Sequence, residues 1–208
     1  MTTVPTFDPA AFAPPLRVPE LACGAVVLRP YAVSDLALVR QASADPAIPA
    51  SSSVPRHYTD DLGRAFIERQ LWRASEGDGF SFVVAEAADP TVGIGSVGLW
   101  LLEIESGRAS VGYWLLEPAR RRGLAAQALR GLVTFAFGQL AIPRLHLFAE
   151  PWNVASARTA EAAGFRREAL LRGWERIDGE QRDVECFALL REDWLADQAA
   201  EAGEARTG

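Results

Sequence analysis

Three features of this 208-residue chain predict one domain of mixed α/β (α+β) class, with a mostly antiparallel central sheet, one parallel strand pair and flanking helices. An apolar strand over Val111–Leu116, a helix over Ala125–Leu140 and an alternating strand over Arg144–Glu150 form a strand-helix-strand crossover, which makes the two strands parallel. Before it, runs over Phe80–Glu86, Val92 to about Glu103, and Ser110–Leu116 are separated only by short turns, the signature of an antiparallel meander. A hydrophobic content of 49% suffices for one sizeable core at this length.

Taken in order, residues 1–19 carry Pro5, Pro9, Pro14, Pro15 and Pro19 among small residues and are expected to form a flexible arm. The domain is placed at 20–194. Ala25–Pro30 reads as its first strand, and Ser34 and Asp35 cap a helix with Leu36, Leu38 and Val39 on its apolar stripe. A long proline- and serine-rich connection over Ala44–Thr59 follows, a length that is often functional. Asp60 opens a second helix to about Ala74, with Leu62, Phe66, Leu71 and Trp72 as inward candidates, and His57 stands just before it as a loop histidine with no evident partner.

The central helix is the clearest. Ala125, Ala128, Leu129, Leu132, Ala136, Phe137 and Leu140 keep the spacing of one buried face, with Gln127, Arg130, Thr134 and Gln139 opposite. Asn153 precedes a short helix over Ala155–Ala163 that Gly164 ends, and Phe165–Leu171 and Val184–Leu190 make a last hairpin joined through Trp174–Glu180. The small, acidic tail over 195–208 is expected to be disordered.

Composition removes whole classes of function. The chain has no lysine, which excludes a Walker-A lysine, a pyridoxal Schiff base and a kinase-type lysine. A net charge of −6 argues against nucleic-acid binding. Cys23 and Cys186 lie far apart in apolar runs and suggest neither a disulfide nor a metal motif. No run approaches a membrane span and no signal peptide is evident, so a soluble, cytoplasmic, metal-free protein without membrane contact is expected. Gly93-Ile94-Gly95-Ser96-Val97-Gly98 matches a dinucleotide fingerprint letter for letter, but no helix follows it, and the glycines read instead as a bulge or close backbone packing.

The junction at Glu117–Ala125 is built to hold a phosphate. The first amides of a helix point outward without partners, the helix dipole favours an anion there, and Arg120, Arg121 and Arg122 add formal charge. Read plainly, an arginine run is a solvated surface cluster, but here a core strand precedes it and a packed helix follows. Arg120-x-x-Gly123-x-Ala125 resembles the acyl-CoA pyrophosphate loop of the GCN5-related N-acetyltransferases. With Gly112-Tyr113-Trp114 before it and Asn153-x-x-Ser156 to Gly164-Phe165 after it, the sequence is similar to the RimJ/RimL-like branch over roughly residues 20–194.

That resemblance implies a GNAT fold whose parallel strands splay apart around the pantetheine arm, with acetyl-CoA as co-substrate. Tyr113, Trp114 and Leu115 would pair with the arm, Arg120, Arg121, Arg122, Gly123, Leu124 and Ala125 would hold the pyrophosphate, and Asn153 would bond the arm's amides. The tyrosine that many members place four residues before the Gly-Phe pair is Ala160 here, which leaves Ser156 as the implied general acid. Glu175 is the implied base, acting through water, while a glutamate common two residues before the Gly-Tyr pair is replaced by Ser110. Arg121 stands where the family often has glycine. Each residue also has a bland reading: Asn153 as a helix cap, Ser156 as a first-turn serine, Glu175 as a solvated loop charge.

The implied reaction is direct acetyl transfer to a primary amine, either a protein N-terminal α-amine or a small-molecule amine, in a ternary complex. A homodimer is the family's expectation. The rival readings are an acyl-CoA-binding module without turnover and, on Gly93–Gly98, a dinucleotide-binding oxidoreductase. The Ala44–Thr59 loop and the Trp174–Glu180 connection are expected to shape the acceptor pocket.

Overall fold

The computed structural model describes residues 5–177 and 179–204. Its strands are β1 (Leu21–Cys23), β2 (Val26–Pro30), β3 (Gly79–Glu86), β4 (Asp89–Trp100), β5 (Arg108–Leu115), β6 (Arg144–Ala149), β7 (Arg166–Ile177) and β8 (Glu180–Leu190). They form one eight-stranded sheet in the order β1-β2-β3-β4-β5-β6-β8-β7. Every pair is antiparallel except β5 with β6, as the crossover requires. That parallel pair is short. It registers Arg108 with Arg144, Ala109 with Leu145 and Ser110 with His146, then stops, although both strands run on.

Both faces of the sheet centre are covered, which explains why β3 is buried without a break from Gly79 to Ala85, with Ser81 as a polar member of an otherwise apolar run. Phe80, Phe82 and Val84 point to one core, where α3 (Leu124–Thr134) brings Leu124, Ala128, Leu129 and Leu132. Val83 points to the other core with Leu38, Val39, Phe66 and Ile67, from α1 (Leu36–Ala44) and α2 (Asp60–Ser75). A two-pronged bond from Arg29 of β2 to Asp35 (2.9 and 2.7 Å) fixes where α1 begins. Thr59 caps α2 by accepting from Leu62 N at 3.2 Å.

Several expectations change. The buried face of α2 is Gly63, Phe66, Ile67, Gln70 and Ala74, whereas Leu62, Leu71 and Trp72 are exposed. The small Gly63 and Ala74 let this face approach its neighbours, and the buried Gln70 amide is satisfied by donating to Phe66 O. Regular helix in α3 ends at Thr134 and continues as a π turn over Phe135–Gln139. The wider turn brings Phe135 as well as Phe137 into the core, where Phe135 meets the rings of Phe80 and Phe82 edge-on. A strict 3.6-residue period cannot register that residue.

The connection expected over Trp174–Glu180 is strand up to Ile177, because β7 bulges between Leu171 and Glu175 around Gly173 and then resumes pairing with β8. The tail, expected to be irregular, is helical over its described part. It forms α5 (Arg191–Glu204), favoured by alanine-rich composition, Glu192 and Asp193 in its first turn, and Trp194 packed on Phe137. The proline-rich arm likewise lies on the domain from residue 5 onward: Phe12 is buried, Leu16 N donates to Ala74 O at 2.7 Å, and Arg191 holds Pro5 O at 2.9 Å. Residues 1–4 and 205–208 of these two segments lie outside the described residues.

Gly93, Gly95 and Gly98 all stand inside β4 in close packing, with an irregular register against β3 at Gly93 and Gly95, and the next element is a 3-10 turn over Ile104–Ser106, not an α-helix. Cys23 and Cys186 are free thiols, and burial pushes both above their ordinary pKa. Among the described residues no helix is long and apolar enough to cross a membrane.

Candidate active site

Where β5 and β6 part, β5 has no strand partner on its β6 side from Val111 to Leu115 among the described residues. A cleft of about 500 Å³ opens there. Tyr113, Asn153, Ser156 and Glu175, chosen from distant parts of the sequence, all line it. β5 supplies Tyr113, the N-terminus of α4 (Val154–Ala162) supplies Asn153 and Ser156, and the resumed part of β7 supplies Glu175. The loop after α1 contributes Pro49–Ser53 and Arg56, so the two segments expected to shape an acceptor pocket do meet across the cleft.

Asn153 caps α4, its Oδ1 accepting from Ser156 N at 3.1 Å. This settles the structural part of its role and leaves its amide nitrogen without a partner among the described residues. Ser156 is thereby relieved of capping. Its Oγ lies 3.0 Å from the Tyr113 hydroxyl, which is also 2.9 Å from Ser156 O. Burial raises the Tyr113 phenol above its ordinary pKa, against a weaker pull from the hydroxyls of Ser156 and Thr159.

Glu175 reaches the cleft but is exposed, so the partial burial expected of a base is not present there. A second carboxylate, Glu150, went unnoticed in the sequence. It follows β6 directly, is half-buried and lines the same cleft. The available signal was its place at the C-terminal end of a parallel strand, where sites in such sheets gather. His57 is exposed and does not line the cleft.

The loop between β5 and α3 departs from its expected chemistry. Arg120 turns inward, Nε donating to Leu115 O at 2.8 Å and Nη2 bonding Asp45 Oδ2 at 2.6 Å. Arg122 makes a two-pronged pair with Glu86 at 2.7 and 2.8 Å, which lowers the Glu86 pKa and raises its own. Two of the three arginine charges are thus already matched by carboxylates. Arg121 is exposed, with no hydrogen bond or ion pair among the described residues. The amides of Arg121 to Ala126 likewise have no acceptor among the described residues, so the main chain carries the anion-binding capacity.

Two left-handed residues shape this nest, Arg121 at φ 60° and Gly123 at φ 74°. Glycine adopts that conformation freely, and arginine does not. The left-handed backbone costs an arginine about 1–2 kcal/mol, offset in part because glycine has more freedom to lose on folding. Arg121→Gly is therefore expected to raise stability by about 0.5 kcal/mol in urea denaturation. A lower stability would mean that the Arg121 side chain holds the folded loop.

Residues 25–166 match the model of a family described as the acetyltransferase (GNAT) domain. A curated protein of Bacillus licheniformis, the uncharacterized N-acetyltransferase p20, is 27% identical over 171 residues, covering 81% of this chain and 94% of its own. Mycobacterium smegmatis RimJ, solved in complex with a CoA disulfide, has the same fold with a TM-score of 0.74 at 23% identity, covering 87% of this chain and 91% of that one. RimL, a ribosomal-protein alpha-N-acetyltransferase solved in complex with coenzyme A, gives 0.73 at 20% identity, covering 83% and 98%.

Proposed function

Because the chain belongs to the GNAT acetyltransferase family, we propose that it transfers the acetyl group of acetyl-CoA directly to a primary amine bound in the cleft between β5 and β6. We place the acetyltransferase domain at residues 20–194. The convergence of Tyr113, Asn153, Ser156 and Glu175 on one cleft, at the point where the parallel strands part, is the observation that carries this reading.

The residues present suit such a co-substrate. The β5 edge over Tyr113–Leu115, which lacks a strand partner although Leu115 O already accepts from Arg120 Nε, can receive the amides of a pantetheine arm as an added strand would, and Asn153 lines the same space. The amides of Arg121 to Ala126 suit a pyrophosphate, with Arg121 as the available cation, while Arg120 and Arg122 brace the loop through Asp45 and Glu86. Bound acetyl-CoA supplies the thioester carbonyl that an amine attacks. Ser156 protonates the departing sulfur, Glu175 removes the first proton of the arriving ammonium through water, and Glu150 adds negative charge that draws the ammonium in.

A protein N-terminal α-amine is the leading acceptor, supported by the RimJ and RimL likeness. The test is calorimetric titration with acetyl-CoA, CoA, succinyl-CoA and NADH, followed by thiol release with two acceptors, a peptide bearing a free N-terminal serine amine and spermidine. Binding of CoA and its esters but not NADH is expected, with faster turnover of the peptide. Absence of CoA binding would remove the reading, and turnover of spermidine alone would reassign the acceptor to small polyamines.

A further inference from the structure

Pairing of β5 with a pantetheine arm uses only the main chain of Tyr113 and leaves its hydroxyl idle. Phenylalanine would fill the same space, yet this side chain places an oxygen 2.9 Å from Ser156 O and 3.0 Å from Ser156 Oγ. A phenol has one proton to give, and a carbonyl oxygen can only accept. Two arrangements of the same heavy atoms are therefore open. With the Tyr113 proton on the Ser156 carbonyl, the shorter of the two contacts, Oγ receives no donor from Tyr113 and its own proton is drawn back toward the phenol oxygen, away from the cleft. With the Tyr113 proton on Ser156 Oγ, the serine proton is free to face the cleft.

We infer that Tyr113 is a positioning residue that acts through Ser156, donating to Oγ so that the serine proton faces the leaving sulfur and the remaining oxygen lone pair faces the acceptor nitrogen. The inference rests on the proposed role of Ser156 as proton donor. In the step it serves, the N–C bond forms and the C–S bond breaks with its electron pair passing to sulfur. Ser156 Oγ gives its proton to sulfur and takes up the proton that nitrogen sheds in becoming an amide. Ser156 ends as it began, and Tyr113 keeps its proton throughout. A half-buried phenol whose pKa is raised suits a residue that must remain a donor.

The placement fits the task. Tyr113 stands on the unpaired part of β5, and Ser156 stands in the first turn of α4, where the Asn153 cap holds the backbone. The hydroxyl contact thus fixes the serine rotamer from across the cleft, independently of helix capping.

The test is a double-mutant cycle with Tyr113→Phe, Ser156→Ala and the double variant, reading thiol release from saturating acetyl-CoA with hydroxylamine as a general nucleophile. CoA affinity of each protein is measured by calorimetry. Tyr113→Phe is expected to lower kcat about tenfold, the worth of one positioning hydrogen bond, with CoA affinity unchanged and no further loss once Ser156 is alanine. A wild-type rate in Tyr113→Phe, the same tenfold loss in both backgrounds, or a weakened CoA affinity would each overturn the inference while leaving acyl transfer intact. An unimpaired Ser156→Ala would instead overturn the role of Ser156, and with it this inference. No release above the uncatalysed rate by the wild type would overturn the acyltransfer reading itself.

Discussion

Gly95→Val is expected to cost at least ~3 kcal/mol of stability and to remove measurable binding of acetyl-CoA. Gly95 lies in β4 opposite Leu115 of β5. A Cβ there would stand 2.4 Å from Leu115 Cδ2, 2.4 Å from Trp114 O and 3.0 Å from Leu115 Cα. Two of these atoms belong to the main chain, which cannot rotate away as a side chain can. β5 must then either release β4 or move into the space where it separates from β6. The first course loses sheet pairing, and the second fills the edge assigned to the pantetheine arm. Gly98→Ala is the control: its nearest neighbours, from 2.8 Å outward, are atoms of the Trp100 ring, which can shift, so a cost of about 1 kcal/mol is expected. Urea midpoints and CoA titration measure both. A Gly95→Val protein with wild-type stability would mean that the two strands have slack at this point.

Ser156→Ala is expected to lower kcat about a hundredfold while leaving CoA affinity and stability nearly unchanged. The prediction is sharp because the helix does not depend on this hydroxyl: Asn153 Oδ1 already accepts from Ser156 N, so truncation leaves the cap in place. What it removes is the one hydroxyl of α4 that lines the cleft. Steady-state rates with the serine peptide, paired with a thermal melt, separate the alternatives. A fall in melting temperature with an unchanged rate would return Ser156 to a purely structural role.

What could be read from the sequence was whatever is encoded locally. The strand-turn-helix around Arg120–Ala125 and the Asn153 cap announce themselves by periodicity and by residue types that suit one backbone geometry. The central fold followed from these, as did the rejection of Gly93–Gly98 as a fingerprint. The pairing of charges did not. Arg120 finds Asp45 and Arg122 finds Glu86 only after chain segments 75 and 36 residues apart are brought together. An arginine run therefore looks like free positive charge when most of it is matched. The π turn that admits Phe135 and the bulge that extends β7 were hidden for a related reason: each breaks the period on which a pattern reading depends. Glu150 was passed over because its importance lies in where β6 parts from β5, a property of two strands together.

The bulged strand that brings Glu175 to the cleft is also the last strand of the sheet, with no further strand on its outer side among the described residues. Such an edge invites a second molecule to add itself by backbone bonding. Here Arg166, Arg167, Glu168, Arg172, Glu175 and Arg176 crowd the strand with charge, and the break at Gly173 spoils any long register. The irregularity that brings Glu175 to the cleft thus also breaks the register that an edge-to-edge partner would need.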